Sequence, residues 1–171
     1  TETDPYGKDF LSQLVKDWEM ASDSFGSICP VAKLRIAMVI DGRGGALKKM
    51  MQPIKFGLGS PLGSGKQYVP WIHIDDLCNM FAYCIENNIS GTYNAANGYI
   101  SNRELMKTIT KKMKKPFFLP SVPKGILKVF LGEMATMLTE SLKVSNEKIR
   151  KAGFRFRHTN FDSAITEIVK K

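Results

Sequence analysis

Hydrophobic residues in this chain recur at helical spacing in some stretches and form short continuous runs in others. Apolar positions three or four residues apart predict amphipathic helices, and apolar runs bounded by turn residues predict strands. The predicted helices cover 8–24, 46–52, a stretch opened by Asp75 and Asp76 that runs to about 85, and 101–114. The predicted strands cover 32–40, the short apolar run before Asp75, and 91–97. The run 32–40 is apolar almost throughout, as expected for a strand that is covered on both faces. Strands alternating with helices are typical of a mostly parallel sheet.

The segment 63–77 leads from a glycine-rich loop through a short apolar run into a helix. Asp75 and Asp76 stand at the start of that helix, where a carboxylate can accept free backbone N–H groups and complement the helix dipole. Adjacent residues at a helix start point apart, so helix capping explains these two carboxylates better than paired acid–base chemistry. At 101–104, Ser101 followed by Glu104 predicts a capping box.

Beyond residue 115 the pattern contains helices without a long strand. An extended link at 116–120 precedes three predicted helices, which start at Pro123, at the cap Ser145 and at the cap Asn160. The first of them carries an apolar stripe: Ile126, Leu127, Phe130, Leu131, Met134, Met137 and Leu138. Such a stripe is typical of a core or an interface. We therefore predict two domains, an α/β part at 1–115 and a small helical domain at 116–171.

Composition favours a folded protein. The chain has 171 residues, of which 43% are hydrophobic and 24% charged, enough to build a packed core. No apolar run approaches the roughly 18 residues of a membrane span, and no signal peptide is visible, so no membrane partner is predicted. Cys29, Cys78 and Cys84 have apolar neighbours and no metal-ligand spacing. They are typical of reduced, buried thiols in a cytoplasmic protein.

The formal net charge of +9 raises the hypothesis of nucleic-acid binding. The lysines are dispersed, however, except for a cluster at 111–115 where a helix is predicted to end. Lysines at a helix C-terminus complement the dipole and usually face solvent. No nucleic-acid module with interleaved aromatic residues is present. We predict that nucleic acid is not a partner, and note that the same charge could serve an anionic nucleotide.

Two glycine-rich stretches resemble phosphate loops but have the wrong spacing. Gly57, Gly59 and Gly63 have one residue too many for the dinucleotide fingerprint, and Gly65-Lys66 is followed by Gln67 where a phosphate loop requires Ser or Thr. A flexible loop over a cleft is the better interpretation. The two histidines, Cys and carboxylates also lack metal-ligand spacing, so no metal site is predicted.

Several local motifs together resemble a known family. They are Asp9-Phe10-Leu11 with Asp17-Trp18-Glu19, Leu34-Arg35, Gly44-Gly45-Ala46-Leu47, Gly57-Leu-Gly-Ser-Pro-Leu-Gly-Ser-Gly65 leading into Trp71-Ile-His-Ile-Asp-Asp76, Gly132-Glu133-Met134, and Ala152-Gly153-Phe154-Arg-Phe156. The chain resembles an atypical extended short-chain dehydrogenase/reductase of the NAD-dependent epimerase/dehydratase type. More narrowly, it is similar to nucleoside-diphosphate-sugar epimerase-like proteins that carry an extra C-terminal helical domain of unassigned function.

The resemblance implies the fold class and a missing half. Members of this family begin with a Rossmann half that carries the glycine-rich pyrophosphate fingerprint, to which nothing here corresponds. The chain is therefore expected to be the C-terminal portion of a protein about twice as long, with parallel strands, helices and the helical tail domain. NAD(P) is the implied cofactor of the full-length protein, and no tight binding to this portion alone is expected.

The resemblance also exposes a departure from the family's chemistry. Extended short-chain enzymes usually carry Tyr-x-x-x-Lys on the first helix seen here, where the lysine lowers the tyrosine pKa. Alignment on Glu19 places Leu11 and Val15 at those two positions, and neither side chain can ionise. Tyr6 lies nearby, but a tyrosine in a turn is more often structural. The catalytic residues are therefore unknown.

The family comparison places other residues near the cofactor and the substrate. Arg35, Ile36 and Val39 are implied at the nicotinamide, although a structural ion pair explains Arg35 equally well. The implied substrate-side residues are Lys66, Gln67, Trp71 and His73. An isolated lysine in a Gly-Ser loop is often solvent-exposed, and a histidine bonded to a neighbour is commoner than a catalytic one.

The implied activity is that of an NAD(P)-dependent nucleoside-diphosphate-sugar epimerase/dehydratase, an isomerase, or of a reductase, an oxidoreductase. The expected partners are a nucleotide-sugar-like small molecule and the N-terminal Rossmann half, and a homodimer is compatible with the family. This portion alone is expected to be inactive. The alternative is a regulatory or binding protein that kept the fold and lost the Tyr-Lys pair.

Overall fold

The computed structural model describes residues 1–131 and 139–170. Its elements in chain order are α1 Phe10–Asp23, a 3-10 helix Ser24–Ser27, β1 Ala32–Ile36, β2 Met38–Ile40, α2 Gly45–Lys55, β3 Tyr68–His73, α3 Ile74–Glu86, β4 Gly91–Ala95, β5 Gly98–Ser101, α4 Asn102–Lys112, α5 Lys124–Leu131, α6 Glu147–Lys151 and α7 Phe161–Lys170. The predicted stripe positions Met134, Met137 and Leu138, and the motif at 132–134, lie outside the described residues. The mixed α/β fold class is confirmed.

In the part of the chain that the structure describes, five strands form two small sheets. In the first sheet β1 pairs in parallel with β4, with Ile36 opposite Ala95. In the second sheet the order is β2-β3-β5; β2 and β3 are parallel, and β3 and β5 are antiparallel. The prediction of one continuous strand at 32–40 is thus wrong, because the chain changes its pairing strand from β4 to β3 at Ala37. The amide of Ala37 still donates to the carbonyl of Ala95, at 3.1 Å, before β2 joins β3.

Some helix starts follow the capping predictions and others do not. The residue before α6 is Asn146, which makes no side-chain cap bond, although Oγ of the predicted cap Ser145 accepts from the amide of Glu147 at 3.3 Å. The Ser101 side chain accepts a hydrogen bond from the amide of Glu104, which confirms Ser101 as the cap, and its hydroxyl donates to the Glu104 carboxylate, where a capping box would use the backbone amide of Ser101. The Asn160 side chain accepts from the amide of Asp162 at 2.8 Å and so caps α7. For α3 the prediction is wrong: the cap is His73, whose Nδ1 accepts from the amide of Asp75, and not either aspartate.

Among the described residues, two buried clusters form the core. The first lies among β2, β3, α2, α4 and α7, and includes Trp71, Leu105 and Ile165. The second lies among β3, β4, α3 and α6, and includes Ile72 and Phe154. Both clusters take residues from the segment after residue 115, so that segment shares its packing with the α/β part. The two-domain division itself stays a prediction.

Helix α1 buries little of its apolar surface. The exposed fractions are 79% for Phe10, 67% for Trp18 and 60% for Met20, and the buried residue of this helix is Glu19. Next to it, β1 has one strand partner, β4, in the described part of the chain, so its other edge is open. A two-stranded sheet beside an uncovered amphipathic helix is marginal by itself. This side of the molecule therefore has the features of an interior surface without its covering.

Two sequence interpretations about environment are also tested by the structure. Cys84 is buried as predicted, but Cys29 and Cys78 are exposed, so the prediction of three buried thiols is wrong. Apolar neighbours along the chain do not report which face of a helix is covered.

In the ranges 1–131 and 139–170, the structure contains no helix with the length and apolar character needed to cross a bilayer.

Candidate functional site

The predicted cofactor segment lies where the chain leaves the first sheet for the second. Ile36 is the last residue of β1 and is 49% exposed, whereas Val39 lies in β2 and packs partly against the second core cluster. Ligands of open α/β sheets bind beyond the carboxyl ends of parallel strands, at points where the topology changes. The segment 36–39 meets both conditions, and it borders the open edge of β1.

Arg35 is held in a structural ion pair. Its Nε and Nη2 donate to the two carboxylate oxygens of Glu19, at 2.7 and 2.9 Å. The hydroxyl of Tyr6 donates to the same carboxylate at 2.6 Å, and the guanidinium lies 5.0 Å from the centre of the Tyr6 ring. The hydrogen bonds from Arg35 hold the pKa of Glu19 below its ordinary value. This bidentate pair ties α1 to β1 beside the open edge.

The two positions that the resemblance aligns with the family's tyrosine and lysine lie on the uncovered side of α1. Leu11 is 52% exposed and Val15 is 40% exposed, one turn apart on the same helix. Tyr6 is the nearest tyrosine in sequence, and its bond to Glu19 raises its pKa. A raised pKa disfavours the phenolate, so the environment of Tyr6 suits anchoring of the N-terminal residues better than proton abstraction.

The glycine-rich loop is held closely against the rest of the fold. The Asn102 side chain accepts from the amide of Leu62 at 2.8 Å, and the amide of Arg103 donates to the carbonyl of Gly65 at 2.9 Å. Gly65 has φ +71, and a Cβ there would lie 3.0 Å from Pro61. Only glycine fits this backbone comfortably. The loop predicted to be flexible is thus anchored along its length.

The four substrate-side residues have different surroundings. Lys66 is exposed, and Gln67 is buried with its Nε2 donating to the carbonyl of Leu62 at 2.8 Å. Trp71 is 3% exposed and meets Phe161 edge to face, with 5.1 Å between ring centres. His73 is 2% exposed. Lys66 is therefore the member of this set whose charged group faces solvent, and the substrate role of all four stays a prediction.

His73 belongs to a buried polar junction that the sequence did not reveal. Its ring stacks on that of His158, with 3.7 Å between centres and 20° between planes. Three positions after His73, the fully buried carboxylate of Asp76 accepts from the amides of Arg157 and His158 at 2.8 and 3.0 Å, and from the Asn97 side chain at 2.6 Å. This Asp76 junction connects α3 to the segment before α7.

Hydrogen bonding overcomes burial at Asp76. Burial alone would raise its pKa, but the bonds from the amide of Arg157, the side chain of Asn97 and the amide and ring of His158 hold the pKa below its ordinary value. The carboxylate is therefore ionised at neutral pH and acts as an acceptor for several donors. Sequence signals could not show this, since Asp76 and His158 are 82 positions apart.

A metal ion does not suit the same junction. His73, Asp75 and His158 offer ligand atoms within 4.8 Å of one another in the described part of the chain. Imidazole binds a metal through lone pairs in the ring plane, and the two rings are stacked, so their nitrogen lone pairs run side by side and do not converge. In addition, the Nδ1 of His73 already accepts from the amide of Asp75. We interpret the cluster as structural.

Acidification is expected to destabilise the fold through His73. Burial, reinforced by the nearby His158, lowers the pKa of His73 from 6.5. Three carboxylates oppose the shift in part: Asp75, Glu167 and Asp76. Below about pH 6.5 the unfolded chain binds a proton that the folded chain does not, so the free energy of unfolding falls, by at most about 1.4 kcal/mol per pH unit.

Urea unfolding at pH 7.5 and pH 5.5 measures this effect, with His73→Asn as the comparison. The asparagine keeps an N-cap acceptor and cannot titrate. We expect a smaller loss of stability on acidification in the variant than in the parent chain. Equal losses would show that His73 does not carry the pH dependence.

Comparisons with known proteins agree with this architecture. The family model described as "Domain of unknown function (DUF1731)" matches residues 122–168. The mouse epimerase family protein SDR39U1 is 34% identical over 172 residues, which cover 98% of this chain and 58% of the relative. The crystal structure of the human epimerase family protein SDR39U1 (isoform 2) with NADPH superimposes with a TM-score of 0.86 at 31% identity, over 99% of this chain and 58% of that chain.

A nucleoside-diphosphate sugar epimerase from Corynebacterium glutamicum superimposes with a TM-score of 0.75 at 25% identity, over 98% of this chain and 32% of that chain. The chain thus spans less than two thirds of the length of these relatives. Its Rossmann-like sheet and helices match part of each. The chain therefore matches the C-terminal portion of the extended short-chain dehydrogenases/reductases of the epimerase family, as its motifs predicted.

Proposed function

We propose that this chain is the substrate-side portion of an NAD(P)-dependent enzyme of the epimerase, dehydratase or reductase type. The observation that carries the proposal is its superposition, over 99% of its length, on a human relative whose structure was solved with NADPH. The cofactor's pyrophosphate is held by a preceding Rossmann half. The substrate is a small anionic molecule of the nucleotide-sugar type.

The preceding half occupies the uncovered side of α1 and the open edge of β1. Phe10, Trp18 and Met20 supply the apolar surface there, and the edge of β1 supplies unpaired backbone groups for a further parallel strand. The relatives are longer than this chain, since it covers 58% of the mouse protein. Concentration-dependent dimers in sedimentation experiments would instead indicate that a second copy covers this side.

The cofactor would meet the segment 36–39 with its nicotinamide end. Ile36 and Val39 offer backbone groups and apolar surface at the carboxyl end of β1, the usual side for nucleotides in such sheets. Arg35 supports this segment through Glu19, because its guanidinium is already bonded there. We propose that Arg35 positions the segment 36–39, which contacts the nicotinamide end of the cofactor.

A non-catalytic role is the second candidate, and Leu11 and Val15 favour it. An enzyme that uses the family's proton relay needs ionisable side chains at these positions. A protein with this fold and without the relay could bind NAD(P) or a nucleotide sugar and report its presence to a partner. Turnover separates the two candidates.

The decisive assay follows NADPH consumption by the protein together with its preceding half, across a panel of carbonyl compounds and nucleotide sugars. Steady consumption supports the enzyme. NADPH binding without turnover over the whole panel supports the regulatory alternative.

In the same assay, Lys66→Gln is expected to raise KM for an anionic substrate about tenfold, because a charge-assisted hydrogen bond is lost. The affinity for NADPH should stay unchanged. Lys115→Gln removes an exposed lysine elsewhere and serves as the control. Equal effects of the two substitutions would show that Lys66 has no specific contact with the substrate.

A further inference from the structure

A concave site separate from the proposed cofactor and substrate residues lies at the carboxyl end of β4. Its volume is about 640 Å³, within the range of small-molecule sites. It is lined by Asn97, Asn146, Glu147, Arg150, Lys151, Phe154, Arg155, Phe156 and Thr159. None of the seven residues predicted to contact cofactor or substrate is among them. We call it the α6 pocket.

The cations of the α6 pocket are incompletely neutralised. Lys151 lies 3.4 Å from the carboxylate of Glu147, the acidic residue of the lining. Arg150 and Arg155 are exposed and have no carboxylate partner among residues 1–131 and 139–170, in contrast to Arg35 and Arg43, which are paired. Two free guanidinium groups on one concavity suit a phosphate, which they can bind through two hydrogen bonds each.

The floor of the α6 pocket is aromatic. Phe154 is 5% exposed and meets Phe156 edge to face, with 4.9 Å between ring centres and 90° between planes. Phe156 is half-buried and belongs to the lining of the pocket. Aromatic side chains and two guanidinium groups in one lining suit a ligand that joins a flat ring to a phosphate.

The walls of the α6 pocket are already ordered. Nδ2 of Asn146 donates to the carbonyls of Ala96 and Asn97, at 2.8 and 3.1 Å. The side chain of Asn97 is bonded to Asp76 and to the amide of His73. Because these bonds fix α6 against the end of β4, a ligand would not have to order the backbone on binding.

We propose that the α6 pocket binds a small phosphate ester with an aromatic ring, of the nucleotide class, at a second site that does not require the cofactor half. Arg150 and Arg155 hold the phosphate, and Phe156 packs against the ring. This gives the C-terminal segment a ligand of its own.

The test titrates adenosine 5′-monophosphate into this chain and follows binding by calorimetry and by amide NMR signals around Asn97 and Asn146. We expect a Kd of about 0.1–1 mM, as for a few polar contacts on a half-open surface. Adenosine and inorganic phosphate should each bind at least tenfold more weakly. Because this test uses the chain without the preceding half, a failure here would leave the proposed function intact. A failure of the proposed function would likewise leave this second site intact.

The matched variants carry equal charge changes. Arg150→Gln with Arg155→Gln should weaken binding at least tenfold, while Lys114→Gln with Lys115→Gln should leave it unchanged. All four residues are exposed, and unfolding curves check that both variants fold. Equal weakening in both pairs, no binding by the parent chain, or tighter binding of a ten-nucleotide single strand with steep salt dependence would each overturn the proposal.

Discussion

Asp76→Asn is expected to lower the free energy of unfolding by about 3–5 kcal/mol. The Asp76 carboxylate is fully buried and accepts hydrogen bonds from the amides of Arg157 and His158 and from the side chain of Asn97. Asparagine has one acceptor oxygen, and its amide nitrogen is a donor that would face other donors. At least one buried N–H group would then lack a partner.

Asp75→Asn is the matched control for Asp76→Asn. It changes the same atoms one position earlier, at a side chain that is 48% exposed in the first turn of α3. A loss of about 0.3–1 kcal/mol is expected there, because a negative charge near a helix N-terminus is removed. Urea unfolding at pH 7 measures both variants. Similar losses for the two would contradict the Asp76 junction as a major source of stability.

Phe161→Ala is expected to cost about 3–5 kcal/mol, the usual range for truncation of a buried aromatic side chain. Phe161 is 6% exposed at the start of α7 and packs edge to face on Trp71 of β3. This contact joins the last helix to the second sheet. We expect one cooperative unfolding transition in the parent chain and in the variant, because α7 shares its core with β2, β3, α2 and α4.

Phe118→Ala provides the comparison for Phe161→Ala. The Phe118 side chain is 75% exposed, and its truncation should change stability by less than about 0.5 kcal/mol. Calorimetry follows both variants. Two separate transitions, of which Phe161→Ala lowers one and leaves the other unchanged, would show that the segment after residue 115 folds as an independent domain.

Local features were predictable from the sequence because their causes are local. Apolar spacing predicted the helices, and so did capping residues such as Ser101 and Asn160, whose hydrogen bonds reach no more than three residues along the chain. β5 was missed because four residues are too few to show a period. The break at Ala37 was missed because a change of strand partner leaves no mark in a continuous apolar run.

Long-range polar contacts could not be predicted in the same way. Asp76 was interpreted as a helix cap, since pairing with the amide of His158 requires knowledge of the fold. The stacking of His73 on His158 likewise joins positions far apart in the chain, and the substrate role of His73 stays a prediction. In contrast, the ion-pair alternative for Arg35 could be foreseen, because an arginine in a strand next to an acidic helix needs a partner.

We infer that this chain supplies the substrate side of a nucleotide-binding fold and that a preceding half holds the cofactor's phosphates. Calorimetric titration with NADPH tests it most directly, first on this chain alone and then on the protein that includes the preceding half. We expect no measurable binding to this chain alone and clear binding to the longer protein. A micromolar Kd for NADPH with this chain alone would contradict the claim.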